Sequence, residues 1–469
     1  MTLILALRSL VSRPVRTAVL AGGFGLGVAV MAALLGVAAV ILEQARRPEL
    51  VGGGDVIIDG AAGRLANAKF ALSALINDGP LASKVAAVVP VERATVYLID
   101  DAGPTAVRAR GGIPSLERAM RDPETTGVAS WIDAAADAAW AKPDPHDVLL
   151  EMDRFHEIPN VSKRADSWAE WLYFNGRSER AGFYLTFLAG PRLPSGRRRV
   201  GVRLQLEEAG KTTSYSDSIE VDEADLLRTA PNLTVGANEV RLVGHDYRVR
   251  LNLPAESGRG RAAGELVLHA RPSHVLPPIA LRGAGGWISG YVVPVMSGSW
   301  EGSLAVSGRM IPLDQAAGYH DHNWGFWDGV TWQWGQVQGA GVSFVYGRVR
   351  PPADVADPSR VPAFLMALGA DGPIGYSTNV TIIETDRVSG GAPQKIVVRA
   401  NGDAFAVNIE LAEISATVRS RLPGASAGLD FLQMQARAHV TGTVGGKPID
   451  FRAPASAETF REDSTVPSR

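Results

Sequence analysis

Apolar and polar residues alternate strictly along much of this chain. Val202, Leu204 and Leu206 alternate with Arg203 and Gln205, and Tyr247, Val249, Leu251 and Leu253 with Arg248, Arg250 and Asn252. Leu432, Met434, Ala436, Ala438 and Val440 alternate in the same way with Gln433, Gln435, Arg437 and His439. A period of two buries one face and wets the other, which is the pattern of antiparallel sheet. Turn residues recur between the runs, at Pro194-Ser195-Gly196, Gly244-His245-Asp246, Asn401-Gly402-Asp403 and Gly445-Gly446. This pattern holds from Asp166 for roughly 290 residues, too many for one small barrel, and predicts two packed β-barrels or sandwiches. The Pro/Gly-rich stretch Arg271–Gly286 is the expected seam, giving units at 160–275 and 285–454. The polar residues 455–469 are expected to form a disordered tail.

The N-terminal part follows a different pattern. Thr17 to Leu42 contains no charged residue, which at about 1.5 Å per residue spans a hydrocarbon core of ~30 Å. Signal-peptide cores run only about 7–15 residues, so an uncleaved anchor is favoured. Arg8, Arg13 and Arg16 precede it without an acid, which keeps residues 1–16 cytoplasmic and the remainder outside. Residues 43–159 predict a small α/β spacer: strands at Asp55–Asp59 and Ala94–Ile99, a turn at Asp100–Gly103, and helices at Leu65–Ile76 and Trp131–Ala141. Asp144, His146, Asp153 and His156 within it could suggest a metal cluster, but structural or solvated roles are expected for them.

Composition narrows the function. Lys+Arg is 47 and Asp+Glu 49, for a net charge of −2, so no basic excess exists to hold nucleic acid. The absence of Cys removes disulfides, thiolate metal sites and cysteine nucleophiles.

Candidate chemistry concentrates in two stretches. Gly318-Tyr319-His320-Asp321-His322-Asn323-Trp324-Gly325 is followed at once by Trp327, Trp332 and Trp334. On a strand, His320, His322 and Trp324 share one face, with Asp321 and Asn323 on the other. In Trp168-Ala169-Glu170-Trp171-Leu172-Tyr173-Phe174-Asn175-Gly176, Trp168, Glu170, Leu172 and Phe174 share a face opposite Trp171, Tyr173 and Asn175. His320 and His322 have H-x-H spacing, but no third ligand is evident, so no metal or other cofactor is expected. The alternative for the whole cluster is a buried hydrogen-bonded network with no chemistry of its own.

Three stretches carry resemblances. Leu7-Arg8-Ser9-Leu10 with Arg13-Pro14-Val15-Arg16-Thr17 resembles the start of the first helix of FtsX/MacB-type ABC transporter permeases, which implies ABC transporter subunits as partners. Those permeases carry several further spans, and here only one is legible. Trp168–Gly176 resembles the "EWWYFxG" stretch, and Gly318–Gly325 the "GxYHDHNWG" signature, of the carotenoid 1,2-hydratase and AttH-like family. Gly302 and Gly308 fit the strand that leads into that signature. Over residues 150–455 this resemblance implies a mainly β fold of two tandem lipocalin-like barrels. It also implies His320, Asp321, His322 and Tyr346 as catalytic, and Trp168, Glu170, Trp171, Tyr173, Asn323, Trp324 and Trp327 as ligand-binding. At the place of the family's Tyr-x-Asp pair the chain reads Tyr346-Gly347-Arg348. A buried acid could protonate an alkene, and indole faces could support the cation. The expectation is a membrane-anchored, extracytoplasmic protein that binds an apolar isoprenoid or lipid-like molecule. The alternatives are an active hydro-lyase on an acyclic isoprenoid and an accessory subunit of an ABC export system.

Overall fold

The computed structural model describes residues 12–46, 56–58, 68–77, 82–101, 103–121, 132–161, 163–178, 181–208, 210–271, 274–385, 392–419 and 429–462. Its α-helices are α1 (Pro14–Arg46), α2 (Ala68–Ile76), α3 (Pro114–Met120), α4 (Ala138–Ala141), α5 (Pro145–Met152) and α6 (Glu223–Thr229). The chain divides into two compact units, Met1–Ala66 with Ala87–Ala141, and Asn67–Ala86 with Lys142–Arg469.

In the first unit, Thr17–Val37 within α1 is long and apolar enough to cross a membrane. Residues up to Val11, with most of the permease-like opening, lie outside the described residues. The expected strand at Ala94–Ile99 is β1 (Glu92–Asp100), which pairs antiparallel with β2 (Gly103–Gly111) and turns at Asp100↔Gly103. Val56–Ile58 forms no strand, and the ends of that expected element lie outside the described residues. The expected helix at Trp131–Ala141 is a 3-10 turn, Ala135–Asp137, running into the single turn α4.

The second unit holds both barrels. The strands of its first sheet are β3 (Trp168–Arg177), β4 (Ala181–Arg192), β5 (Arg197–Glu208), β6 (Lys211–Asp222), β7 (Leu233–Val235) and β8 (Asn238–Val243). They continue as β9 (Asp246–Pro254), β10 (Arg261–His269), β11 (Leu276–Arg282), β12 (Ile288–Val306), β13 (Arg309–Pro312) and β14 (Ala316–Phe326). The second sheet begins with β15 (Thr331–Gly339), β16 (Val342–Arg350), β17 (Phe364–Gly369), β18 (Gly372–Ser377) and β19 (Asn379–Thr385). It ends with β20 (Lys395–Gly402), β21 (Phe405–Arg419), β22 (Leu429–Val444) and β23 (Lys447–Glu462). All pairings are antiparallel, and each sheet curls into a nearly closed barrel.

Three boundaries differ from the sequence reading. The sheets part between Phe326 and Thr331, not at Arg271–Gly286, because β14 pairs with both β3 and β12 inside the first sheet. Pro277 and Pro278 lie in β11, which pairs only with β12, and an unpaired edge tolerates a missing N–H. Residues from Pro454 to Glu462 belong to β23, which pairs with β22 along its length and with β15 from Ala455 onward. The segment from Lys142 to Pro159 belongs to the barrel unit and not to the spacer.

Candidate functional site

β14 lies between β12 and β3, and its alternating side chains serve two different environments. His320, His322 and Trp324 point into the first barrel, while Tyr319, Asp321 and Asn323 meet the outer wall of the second.

Inside the first barrel, the coil after α5 brings Asp153 and His156 to the two histidines. His320 and His322 are fully buried, as are Asp153 and Glu170. His320 Nε2 lies 2.9 Å from Asp153 Oδ2, and its Nδ1 2.9 Å from the Tyr173 carbonyl oxygen. Its ring stacks on Phe174 at 4.0 Å. Tyr247 donates its hydroxyl to the same Asp153 oxygen. His322 Nε2 is 3.0 Å from Glu170 Oε1, and its Nδ1 is 3.2 Å from the Met152 carbonyl oxygen. Its 3.6 Å approach to Asp153 Oδ1 is a Coulombic contact, too long for a hydrogen bond. His156 reaches Glu170 Oε1 through Nδ1 at 2.7 Å, and its backbone N–H donates to both carboxylate oxygens at 3.0 Å. Trp324 covers His156 in a stack at 4.2 Å. The indole fits because residue 290, its register partner on β12, is glycine: a Cβ there would lie 2.0 Å from the ring.

Charge explains how these groups tolerate burial. Burial alone would lift Asp153 and Glu170, but His320 and His322 pull Asp153 well below the usual carboxylate range, and His156 and His322 pull Glu170 down. Burial would likewise lower His322, yet Asp153 and Glu170 hold it up to about 9. Ring and carboxylate therefore sustain one another's charges, as a desolvated ion pair requires.

The ligand atoms of His156, Glu170 and His322 lie within 4.8 Å of one another, a donor set able to take a divalent cation. Glu170 Oε1 already receives both rings there, from His156 Nδ1 and His322 Nε2.

The opposite face of β14 forms the seam between the barrels. Tyr319 donates to Asp321 Oδ2 at 3.0 Å, and Asn323 Nδ2 to Asp321 Oδ1 at 2.8 Å. The Tyr291 and Tyr319 hydroxyls are 2.7 Å apart, and Trp334 of β15 donates its indole N–H to Tyr291 at 2.9 Å. Tyr173 packs edge-on against Trp334 and Tyr319. Farther along the seam, Gln336 Nε2 reaches Asn175 Oδ1 at 3.3 Å, and Tyr184 donates to the Met434 carbonyl oxygen. Burial, reinforced by the charge of Glu458 on β23, holds the Asp321 carboxyl well above its ordinary range. Burial likewise pushes Glu458 up to about 7, against the opposing pull of Trp332 and Gln433. The seam is not sealed. Trp171, Tyr291, Asn323 and Gln336 keep part of their surface in solvent, while Asp321 is 3% exposed.

The remaining candidates fall elsewhere. Trp327 donates to the Ala169 carbonyl oxygen and packs between Trp171, at a tilt, and Trp332, edge-on, at one end of the seam. Trp168 packs on Phe326 at the start of β3. Tyr346 lies in the core of the second barrel, apart from the other three candidate catalytic residues. Asp144 caps α5 and His146 meets the Gly244 carbonyl oxygen, so the four-residue group noted in the spacer does not converge. Asp153 and His156 do join the buried network, a role the sequence did not reveal. Glu458 and Tyr291 likewise join the seam without a signal in the sequence.

No protein-family model matches the chain, and no curated protein does. Among solved structures, an AttH-like protein from Nitrosomonas europaea aligns at a TM-score of 0.41 and 15% identity, covering 65% of this chain and 96% of its own. Kievitone hydratase from Nectria haematococca aligns at 0.42 and 14% identity, covering 67% and 96%. CghA, solved with Sch210972, aligns at 0.45 and 12% identity, also covering 67% and 96%.

Proposed function

We propose that this chain is a membrane-anchored, extracytoplasmic lipocalin-like protein that binds an apolar, unsaturated isoprenoid or lipid-like molecule at the seam and adds water across a double bond. Asp321 carries the reading: a buried carboxyl kept protonated beside aromatic faces and within the field of a second, near-neutral carboxyl. Two carboxyl groups pushed apart by their surroundings can divide acid and base roles. Asp321 gives its proton to one alkene carbon, whose π electrons form the new C–H bond. The cation left on the neighbouring carbon is supported by the Tyr173, Tyr319 and Trp334 rings. A water oxygen bonds to that carbon and loses its extra proton to the Glu458 carboxylate. One water is added; Glu458 then releases its proton to solvent and Asp321 recovers one from it, so both carboxyls return to their starting states.

Asp321→Asn keeps the shape and removes the transferable proton. With an acyclic polyene as substrate, turnover should fall about 10²–10⁴-fold while the folded state persists. Unchanged turnover would overturn the acid role. For orientation, Arg8, Arg13 and Arg16 before the span support a cytoplasmic N-terminus. A C-terminal alkaline phosphatase fusion should therefore be active, and an inactive fusion would reverse the topology.

A further inference from the structure

His320 and His322 stand at the spacing of a ligand pair, but the fold gives them different partners. Both nitrogens of His320 are engaged, one by Asp153 Oδ2 and the other by the Tyr173 carbonyl oxygen. His322 instead aims Nε2 at Glu170 Oε1, where His156 arrives from the coil after α5. The donor atoms of these three residues lie within 4.8 Å of one another, although they come from β14, β3 and that coil. Oε1 is 2.7 Å from His156 Nδ1 and 3.0 Å from His322 Nε2. A tetrahedral ion bound at about 2.0–2.1 Å sets its donors about 3.3 Å apart, a separation that lies between these contacts and the 4.8 Å limit.

What surrounds the triad suits a metal as well as its geometry does. His322 Nδ1 donates to the Met152 carbonyl oxygen at 3.2 Å, which leaves Nε2 as the ligating nitrogen. Behind the same ring, 3.6 Å from Nδ1, stands Asp153 Oδ1, a buried carboxylate oxygen with no hydrogen-bond partner among the described residues. A carboxylate placed behind a ligating imidazole makes the ring a stronger donor. Glu170 is itself held in place by the His156 backbone N–H, 3.0 Å from both carboxylate oxygens. Asp153 and Glu170 together supply two negative charges, which one divalent ion balances with the rings of His156 and His322 neutral. Access is from one side. The side chains of Glu170 and His322 are fully buried, whereas that of His156 is 41% exposed and belongs to coil.

We propose that His156, Glu170 and His322 bind one zinc-class divalent cation, with water in its fourth position on the His156 side. Two imidazoles and a carboxylate select such an ion over magnesium or calcium, which take oxygen ligands. The ion replaces the two ring protons that now face Glu170 Oε1, and these pass to solvent. It ties the coil after α5 to β3 and β14, on the face of β14 turned away from the seam. The probe is zinc itself, titrated calorimetrically into the chelator-treated full chain in detergent micelles, with magnesium as the comparison. One zinc should bind per chain and raise the melting temperature, and magnesium should bind at least about 100-fold more weakly. Cobalt in its place should give the visible absorption bands of a four-coordinate site. His156→Ala, at a half-exposed coil position, should leave the chain folded. It should weaken zinc by at least about 100-fold, beyond the effect of losing a residue that only orients a ligand. His146→Ala, a histidine on α5 outside the triad, should leave zinc affinity unchanged. Asp321→Asn should also bind zinc as the wild type does, so the outcome here is separable from the chemistry at the seam. No zinc binding, magnesium as tight as zinc, an affinity unmoved by His156→Ala, or cobalt without four-coordinate bands would each overturn the proposal.

Discussion

Asp153→Asn is expected to cost about 3–5 kcal/mol of folding stability, the range for breaking one side of a buried ion pair. Asp153 is fully buried, accepts from His320 and Tyr247, and lies against His322. The amide has the same size but supplies no charge, so the buried rings lose their compensation. The loss should appear in denaturant or thermal melts. A change below about 1 kcal/mol, typical of an exposed pair, would sink the reading of this cluster as the tie between the α5 segment and the first barrel. The same melts have a signature in pH. His322 is held up to about 9, so the folded chain keeps a proton that the unfolded chain releases near 6.5. Its contribution is complete below the lower value and is lost as pH rises through the upper one. Asp153 and Glu170 are displaced downward, so theirs is complete above the ordinary carboxylate range and lost in acid. In Asp153→Asn, where His322 loses one of its two acids, the alkaline decline should flatten.

Much of this arrangement was legible in the sequence, because strand periodicity is a local property. The alternation along Gly318–Gly325 separates His320 and His322 from Asp321 and Asn323, and β14 divides them in that way. The contacts on each face were not legible. His320 meets Asp153 across 167 residues of chain, and Asp153 lies in coil whose spacing has no period to mark it. Glu458 fell in a stretch read as tail, since Pro454 and the small polar residues after it resemble a disordered end. Its place in a strand rests on partners outside its own stretch, Gln433 of β22 and Trp334 of β15, which local composition does not reveal. The seam was misplaced for a related reason. Prolines on a sheet edge and prolines in a linker look alike until the pairing partner is known.

Glu458→Gln should separate function from stability, moving them in opposite directions. Glu458 is half-buried on the outer wall of the second barrel, with its carboxyl pushed up to about 7. If it takes the proton from water, the rate on an acyclic polyene should rise with pH through about 7 as the carboxylate forms. The rate should fall again at higher pH as Asp321, held well above its usual range, loses the proton it must donate. The pair would then give a bell-shaped profile whose two limbs belong to the coupled carboxyls and not to either alone. Glu458→Gln should lower the plateau by about 10²–10⁴-fold and remove the acidic limb. Stability should respond in the opposite sense. A carboxyl raised from 4.5 to about 7 keeps its proton in the folded chain, so its contribution is lost as pH climbs through that interval. At pH 8 the wild-type chain buries a charge at a cost of up to about 3 kcal/mol, which the neutral amide does not incur. The variant should therefore melt at a higher temperature than wild type at pH 8, and close to it at pH 4. A group retained against stability in this way fits a functional role. Reduced stability at both pH values, with the rate profile unchanged in shape, would mean that Glu458 only ties the two barrels together.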